Sequence, residues 1–526
     1  MTTYTFCAPG TANPGTDTVW DPTANAYSDL FLTANNIFQF RPGTYPLSYR
    51  IHLGPGVVFR GMTPIVMPAV QSQMLVANPT IMAVFTQTAP TSVNQYGKGE
   101  GTGCIVVNPG AGVVISDIFL LGFEGLEMYG ATGCTVKNVA VDHKLNGVWC
   151  WFWQTGAITQ YDGCSGNTFT SCLVRGNHHG FMNQHDFGNA WVTIYNSTYT
   201  DCRAIDCGCG KEEDGGGYHD WSCCFDLGEQ VDVDGIEVIS CYASLAGKVG
   251  FYFEPESTGE ASGNKGSAYI RRNVHLKDCV SENNGKYGGG WRGEMSIPEG
   301  EQCNYYASSG HFENCTSVNG AKAGFYFRQE YNVDPLIVDG CIDLYSNIGF
   351  CQEMSGAGGT YTSCTSYEPR KMGFQLMGPS ADSSNPTVIT NATIQLKDSD
   401  GSVGFHIGGY FRVYKMESPD DANRASQIAT EALDYNGVKY LTITGTKFCG
   451  LTSRQYVVHP LTPQNLTGVG AFTAIAATDP PYISDTPTVD PDIPVVSPIV
   501  GCTVVGLPIA GGKYYAIPVS SPASKP

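Results

Sequence analysis

Acidic, basic and phenolic side chains recur at fixed offsets from short glycine–aromatic pairs. Tyr252 and Glu254 follow Gly250-Phe251, Arg292 and Glu294 follow Gly290-Trp291, Tyr326 and Arg328 follow Gly324-Phe325, and Glu353 follows Gly349-Phe350. On strands, alternate residues share a face. If the aromatic after each glycine points inward, these seven residues point outward together. A slip by one residue would bury every charge in the set, at several kcal/mol each if unpaired, so the outward phase is expected. On adjacent rungs, Glu254 and Glu294 would stand about 5 Å apart, and Glu294 and Glu353, two rungs apart, about 10 Å. The closer spacing suits a retaining glycosidase and the wider one an inverting glycosidase. Glu294, between Glu254, Arg292 and Arg328, is the best acid of the three. Tyr252, Arg292, Tyr326 and Arg328 suit substrate binding, the rings stacking on sugar faces and the cations taking hydroxyls. Three uses of the face stay open: catalysis, binding without cleavage, and a solvated, salt-bridged surface.

Other clusters are less specific. Trp149, Trp151 and Trp153 alternate in GVWCWFWQ and share one face, as a sugar platform or as core. His178, His179, His185 and Asp186, with His219 and Asp220, could form a general base or a metal site, with a polar turn as the plainer reading. Cys207, Cys209, His219, Cys223 and Cys224 are dense, but their spacing matches no zinc finger. No metal and no cofactor is expected.

The elements that must position these residues form a repeat. Cys172, Cys241, Cys279, Cys315, Cys341 and Cys364 each precede a glycine–aromatic pair, with the aromatic 9 to 12 residues after the cysteine. A later unit without the cysteine ends in Gly404-Phe405-His406. The stretch between Cys202 and Cys241 is irregular and is expected to contribute Glu212 or Asp214. Short strands of alternating pattern, turns rich in Asn and Gly, and variable unit length around a constant core describe stacked coils with insertions at the turns. The cysteines then read as an inward ladder of free thiols, since Cys behaves as a small buried hydrophobe; cross-linking of an extracellular shell is the alternative.

With the lead-in Phe38-Gln-Phe-Arg-Pro-Gly-Thr-Tyr and Ile51-His-Leu-Gly-Pro-Gly-Val-Val-Phe-Arg-Gly, the repeat resembles the right-handed parallel β-helix proteins of the pectate-lyase-like superfamily, viral tailspikes included. The resemblance covers roughly Gly101 to Cys449. It implies an all-β fold, a right-handed parallel β-helix solenoid. Residues 1–60 are expected as an N-terminal cap and first coils, 61–458 as the helix, and 459–526 as a Pro-rich C-terminal β module that cannot coil regularly and is suited to oligomerisation. A short helix is expected from Ser418 to Leu433. GHG and RIK tripeptides and an Arg-Pro pair beside an acidic calcium cluster are missing, so no family catalytic set carries over.

Composition narrows the function. The chain has 526 residues, of which 42 % are hydrophobic and 15 % charged, and its net charge is −19. That balance disfavours nucleic acid and anionic membranes. The most apolar run, GVVISDIFLLGF, is too short to span a bilayer, so no membrane insertion is expected. The first residues carry neither a basic nor an apolar signal region, which fits either action inside the cell or release by a route that needs no signal, such as cell lysis. The expected function is a surface-exposed, tailspike-like protein at a virion surface or outside the cell. It would bind a polysaccharide, with depolymerisation left open, as a homo-oligomer with a trimer favoured. The competing class is a non-catalytic structural protein of a virion, sheath or cell envelope.

Overall fold

The computed structural model describes residues 1–10, 15, 17–21, 27–87, 105–122, 125–145, 148–149, 156–176, 178–185, 192–208, 222–229, 231–253, 270–285, 302–328, 335–353, 358–370, 372–377, 387–395, 403–407, 441–449, 456–460, 499–500 and 503–505. The chain forms two compact units, residues 1–254 with 258–293, and residues 255–257 with 294–526.

Each unit is built from three parallel sheets that the chain visits in turn. In the first unit, one coil runs through Thr198–Thr200, Arg203–Ile205 and Cys223–Glu229, and the next through Glu237–Ile239, Tyr242–Ser244 and Val249–Tyr252. Each strand pairs in parallel with its counterpart one coil on. The second unit repeats the plan with Gly310–Glu313, Thr316–Val318 and Ala323–Arg328, followed by Leu336–Asp339, Ile342–Leu344 and Ile348–Glu353. The fold is a parallel β-helix. The one helix among the described residues is Ser28–Leu32, where Phe31 is buried against Phe6, Trp20, Phe38 and Phe59.

The corner from the first sheet to the second is made by two residues in coil after coil. The leading residue takes a left-handed backbone at Ser171, Asp201, Ser240, Asp278, Asn314, Gly340 and Ser363, with φ between 49° and 61°. Asn, Asp, Ser and Gly are the residues that tolerate this region. The second corner residue is usually cysteine, and it turns inward. The corner cysteines Cys172, Cys202, Cys241, Cys279, Cys315, Cys341 and Cys364 are all free and buried. The thiol donates to a carbonyl of the preceding coil: Cys202 to Phe169 at 3.4 Å, Cys241 to Tyr199 at 3.4 Å, Cys279 to Val238 at 3.2 Å and Cys341 to Phe312 at 3.3 Å. The expected thiol ladder is present in both units.

The glycine–aromatic pair has a steric cause. At its start the third-sheet strand kinks, so that the glycine and the aromatic both face the coil interior. A Cβ on Gly324 would lie 2.0 Å from Asp343 Oδ1 and 2.6 Å from Ser317 Oγ. The aromatics then stack coil on coil. Phe181, Phe225 and Phe251 are spaced 4.7 Å and 4.7 Å, and Tyr305, Phe325, Phe350 and Phe374 are spaced 4.5, 4.9 and 4.7 Å. The inward phase read from the sequence therefore holds. Two rungs differ from expectation. Phe225 stands in the irregular stretch, and the strand beside Ala323–Arg328 in the second unit is Cys303–Ala307, not one carrying Trp291.

The coils also run past residue 459. Tyr456–Pro460 pairs with Val403–Ile407, Ile499–Val500 with Ile443 and Thr444, and Thr503–Val505 with Lys447–Cys449. Ile499–Val500 and Thr503–Val505 come from the stretch expected as the Pro-rich module. Val500-Gly501-Cys502-Thr503 repeats the corner pattern of Asp339-Gly340-Cys341-Ile342. The expected helix from Ser418 lies outside the described residues.

Candidate functional site on the outer face of the third sheet

The alternation rule gives two outward columns on the third sheet, and the register bears out their alignment. In the second unit Tyr326 pairs with Cys351, and Arg328 with Glu353. In the first unit Met182, Asp226 and Tyr252 align. Solvent exposure is where the expectation fails. Tyr252 is 4 % exposed and Tyr326 3 %, and Met182, Asp226, Tyr306 and Cys351 are buried as well. Parallel sheets are commonly covered on both faces, and alternation tells inward from outward without telling wet from dry. Arg328 is half-buried.

The rung expected at Arg292 and Glu294 lies outside the described residues. The neighbour of Tyr326 on the Cys303–Ala307 side is Tyr306, its ring stacked 4.9 Å away, where Arg292 was expected. Glu254, Arg292, Glu294, Trp151, Trp153, Asp186, Cys209, Glu212, Asp214, His219 and Asp220 lie outside the described residues. Glu353 is placed by its backbone register alone.

In the first unit the same face gathers ionisable groups. At one end, Glu127 lies 3.8 Å from Arg50 and accepts the Tyr129 hydroxyl at 3.1 Å. The Tyr129 and Tyr161 rings stack at 4.4 Å, only 10° from parallel. Tyr129 is half-buried and Tyr161 is 9 % exposed. Beside Tyr161, Asp162 pairs with His185 and accepts the Val192 N–H at 3.4 Å.

Further along, Asp226 Oδ2 lies 3.2 Å from His179 Nδ1, both side chains 1 % exposed. Cys223 completes this group, the three donor atoms all lying within 4.8 Å of one another. The His178 ring packs edge-on to His179 at 3.9 Å. Lys248 places its ammonium over the Tyr252 ring at 4.8 Å. The sequence places His179 and Cys223 in separate clusters and does not single out Asp226. The signal was present: Asp226 follows Phe225 as Tyr252 follows Phe251.

No family model matches the chain, and no curated protein matches it. Solved structures do. A rhamnogalacturonan lyase matches with a TM-score of 0.37 at 11 % identity, over 65 % of this chain and 82 % of that one. An alginate lyase from Paenibacillus sp. matches with 0.34 at 10 %, over 77 % and 97 %. PfbA, a surface adhesin of Streptococcus pneumoniae, matches with 0.42 at 10 %, over 88 % and 92 %. The likeness extends to the fold alone. Among the described residues, no helix is long and apolar enough to cross a membrane.

Proposed function

We propose that this chain is a tailspike-like or adhesin-like β-helix protein that binds a polysaccharide at the part-exposed Tyr129 and Arg50 end of the third sheet's outer face in its first unit. The observation that carries the reading is the Tyr129–Tyr161 stack flanked by Glu127 with Arg50 and by Asp162 with His185. Flat phenol rings take the apolar faces of sugars, and paired carboxylates, guanidinium and imidazole take their hydroxyls. The net charge of −19 directs the protein away from nucleic acid and toward neutral or cationic glycans. The protein is proposed to act outside a cell or on a virion, as a homo-oligomer with a trimer favoured. The neighbouring PfbA is described as a surface adhesin and the lyases by their glycans.

Affinity electrophoresis of the full chain through gels loaded with capsular and wall polysaccharides tests the reading. One glycan should retard the protein, and Tyr129→Ala should weaken that binding by about tenfold, the loss of one stacked ring. Reducing-end and unsaturated-product assays on the same glycan decide cleavage. No retardation by any glycan, together with spontaneous polymer formation, would favour the structural-protein alternative.

A further inference from the structure

We propose that His179, Cys223 and Asp226 form a binding site for a divalent transition-metal ion, zinc by its donor chemistry. The kink that opens each third-sheet strand builds the site. In a regular strand, residues three apart face opposite sides. In Cys223–Glu229, Cys224 occupies the position of the kink glycine and turns inward, its thiol donating to the Ser244 carbonyl at 3.3 Å. Phe225 also turns inward, onto Phe181 and Phe251. Two consecutive inward residues leave Cys223 and Asp226 on the same outer side. His179 reaches them from the neighbouring strand, His179–Gln184.

The geometry suits a shared cation. The three donors lie within 4.8 Å of one another, and the Nδ1 to Oδ2 distance is 3.2 Å. Tetrahedral zinc, with bonds of about 2.0–2.1 Å to N and O, sets such donors roughly 3.3 Å apart. His179 Nδ1 also accepts the Cys223 backbone N–H at 3.3 Å. On metal binding, Nδ1 gives up this contact and turns its single electron pair to the cation.

Charge and softness select the ion. Cys223 as thiolate and Asp226 as carboxylate neutralise one dication, with His179 neutral, so the buried group carries no net charge. Sulfur and imidazole nitrogen exclude calcium and magnesium, which take oxygen ligands, and suit zinc.

The second unit holds an internal control. Cys303 pairs in register with Ala323 as Cys223 does with Val249, but Tyr306 stands where Asp226 stands. The experiment uses the full chain, stripped with a chelator, dialysed, and offered zinc or cobalt chloride. Elemental analysis should find about one zinc per chain, and cobalt should give a thiolate charge-transfer band with intense visible absorption. Cys223→Ser should abolish the thiolate band, Asp226→Asn and His179→Gln should each weaken retention at least about tenfold, and Cys303→Ser should change nothing. A wild-type chain that retains less than about a tenth of an equivalent, or that shows no thiolate band, overturns the site without recourse to any variant. A band that survives Cys223→Ser overturns it equally.

Discussion

Lys248-Val-Gly-Phe-Tyr-Phe253 in the first unit and Lys322-Ala-Gly-Phe-Tyr-Phe327 in the second make the same local structure beside different chemistry. In both, the phenylalanine after glycine joins the interior stack, the tyrosine faces outward and is buried, and the lysine lies over the tyrosine ring, at 4.8 Å and 4.0 Å. The neighbouring strand sets the difference. Beside Tyr252 it presents Asp226, with Cys223 and His179 close by; beside Tyr326 it presents Tyr306. A coil's own sequence fixes its phase, and its neighbour supplies the chemistry.

The largest effect expected from breaking this parallel comes from the stacks. Phe225→Ala and Phe325→Ala should each destabilise the protein by about 3–5 kcal/mol, the loss of a buried aromatic from a packed column. Hydrogen exchange should show protection falling first in the unit that carries the substitution. Equal loss across both units would mean that the two unfold as one block.

The units should also answer pH in opposite senses. Burial pushes the Asp343 carboxyl from 3.8 up to about 7, and its Oδ2 has no hydrogen-bond partner among the described residues. The folded chain then holds a proton that the unfolded chain releases, so this contribution falls as pH rises from about 4 to 7, by on the order of 2–4 kcal/mol. Burial lowers His143 from 6.5 to about 3. Here the unfolded chain takes up the proton first, and stability falls as pH drops from about 6.5 toward 3. Denaturant titrations across this range should show the first slope removed by Asp343→Asn and the second by His143→Gln. A slope that persists in its variant would assign it to other groups.

A smaller loss, about 1–3 kcal/mol, is expected for Gly324→Ala, whose Cβ would press on Asp343 and Ser317. Urea midpoints of this variant and wild type give the number, and an unchanged midpoint would show that the strand shifts freely. The smallest effect concerns the thiols. Burial raises Cys164 and Cys364 to about 12 and Cys172, Cys202 and Cys341 well above the ordinary thiol range. These cysteines should resist a thiol-labelling reagent in the native protein and react on unfolding. Rapid native labelling of the ladder would contradict its burial.

The phase of the coils was legible because glycine, aromatic and cysteine each answer a local steric demand. The rungs that escaped notice lack that signature. Cys224 replaces the glycine before Phe225, and Asn304 replaces it before Tyr305, reaching inward to Ser317 Oγ at 2.8 Å. Gly290-Trp291 matches the template, yet Cys303–Ala307 is the strand beside Ala323–Arg328. The burial of Tyr252 and Tyr326 was not legible at all, because a repeat carries no information on what lies over its outer face. The grouping of His179 with Cys223 and Asp226 depends on register across an insertion of unpredictable length.

The two-residue corner between the first and second sheets has a bearing on how such a chain can change. Lengths elsewhere drift freely: 17 residues separate Ile205 from Cys223, and 4 separate Val318 from Ala323. The corner stays at two residues from Thr170 and Leu173 through Thr390 and Thr393. Two sheets thus behave as a ruled edge, and the third is the margin where text can be inserted. Lineages can rewrite loops around the third sheet without disturbing the ruling, because added loop length costs only about 0.6 kcal/mol per doubling. A single residue added at the corner would turn every later side chain of that strand to the opposite face. Novelty in molecules of this design should therefore accumulate along one side, and a foreign peptide grafted between Ile205 and Cys223 should be carried where the same peptide after Thr200 is not.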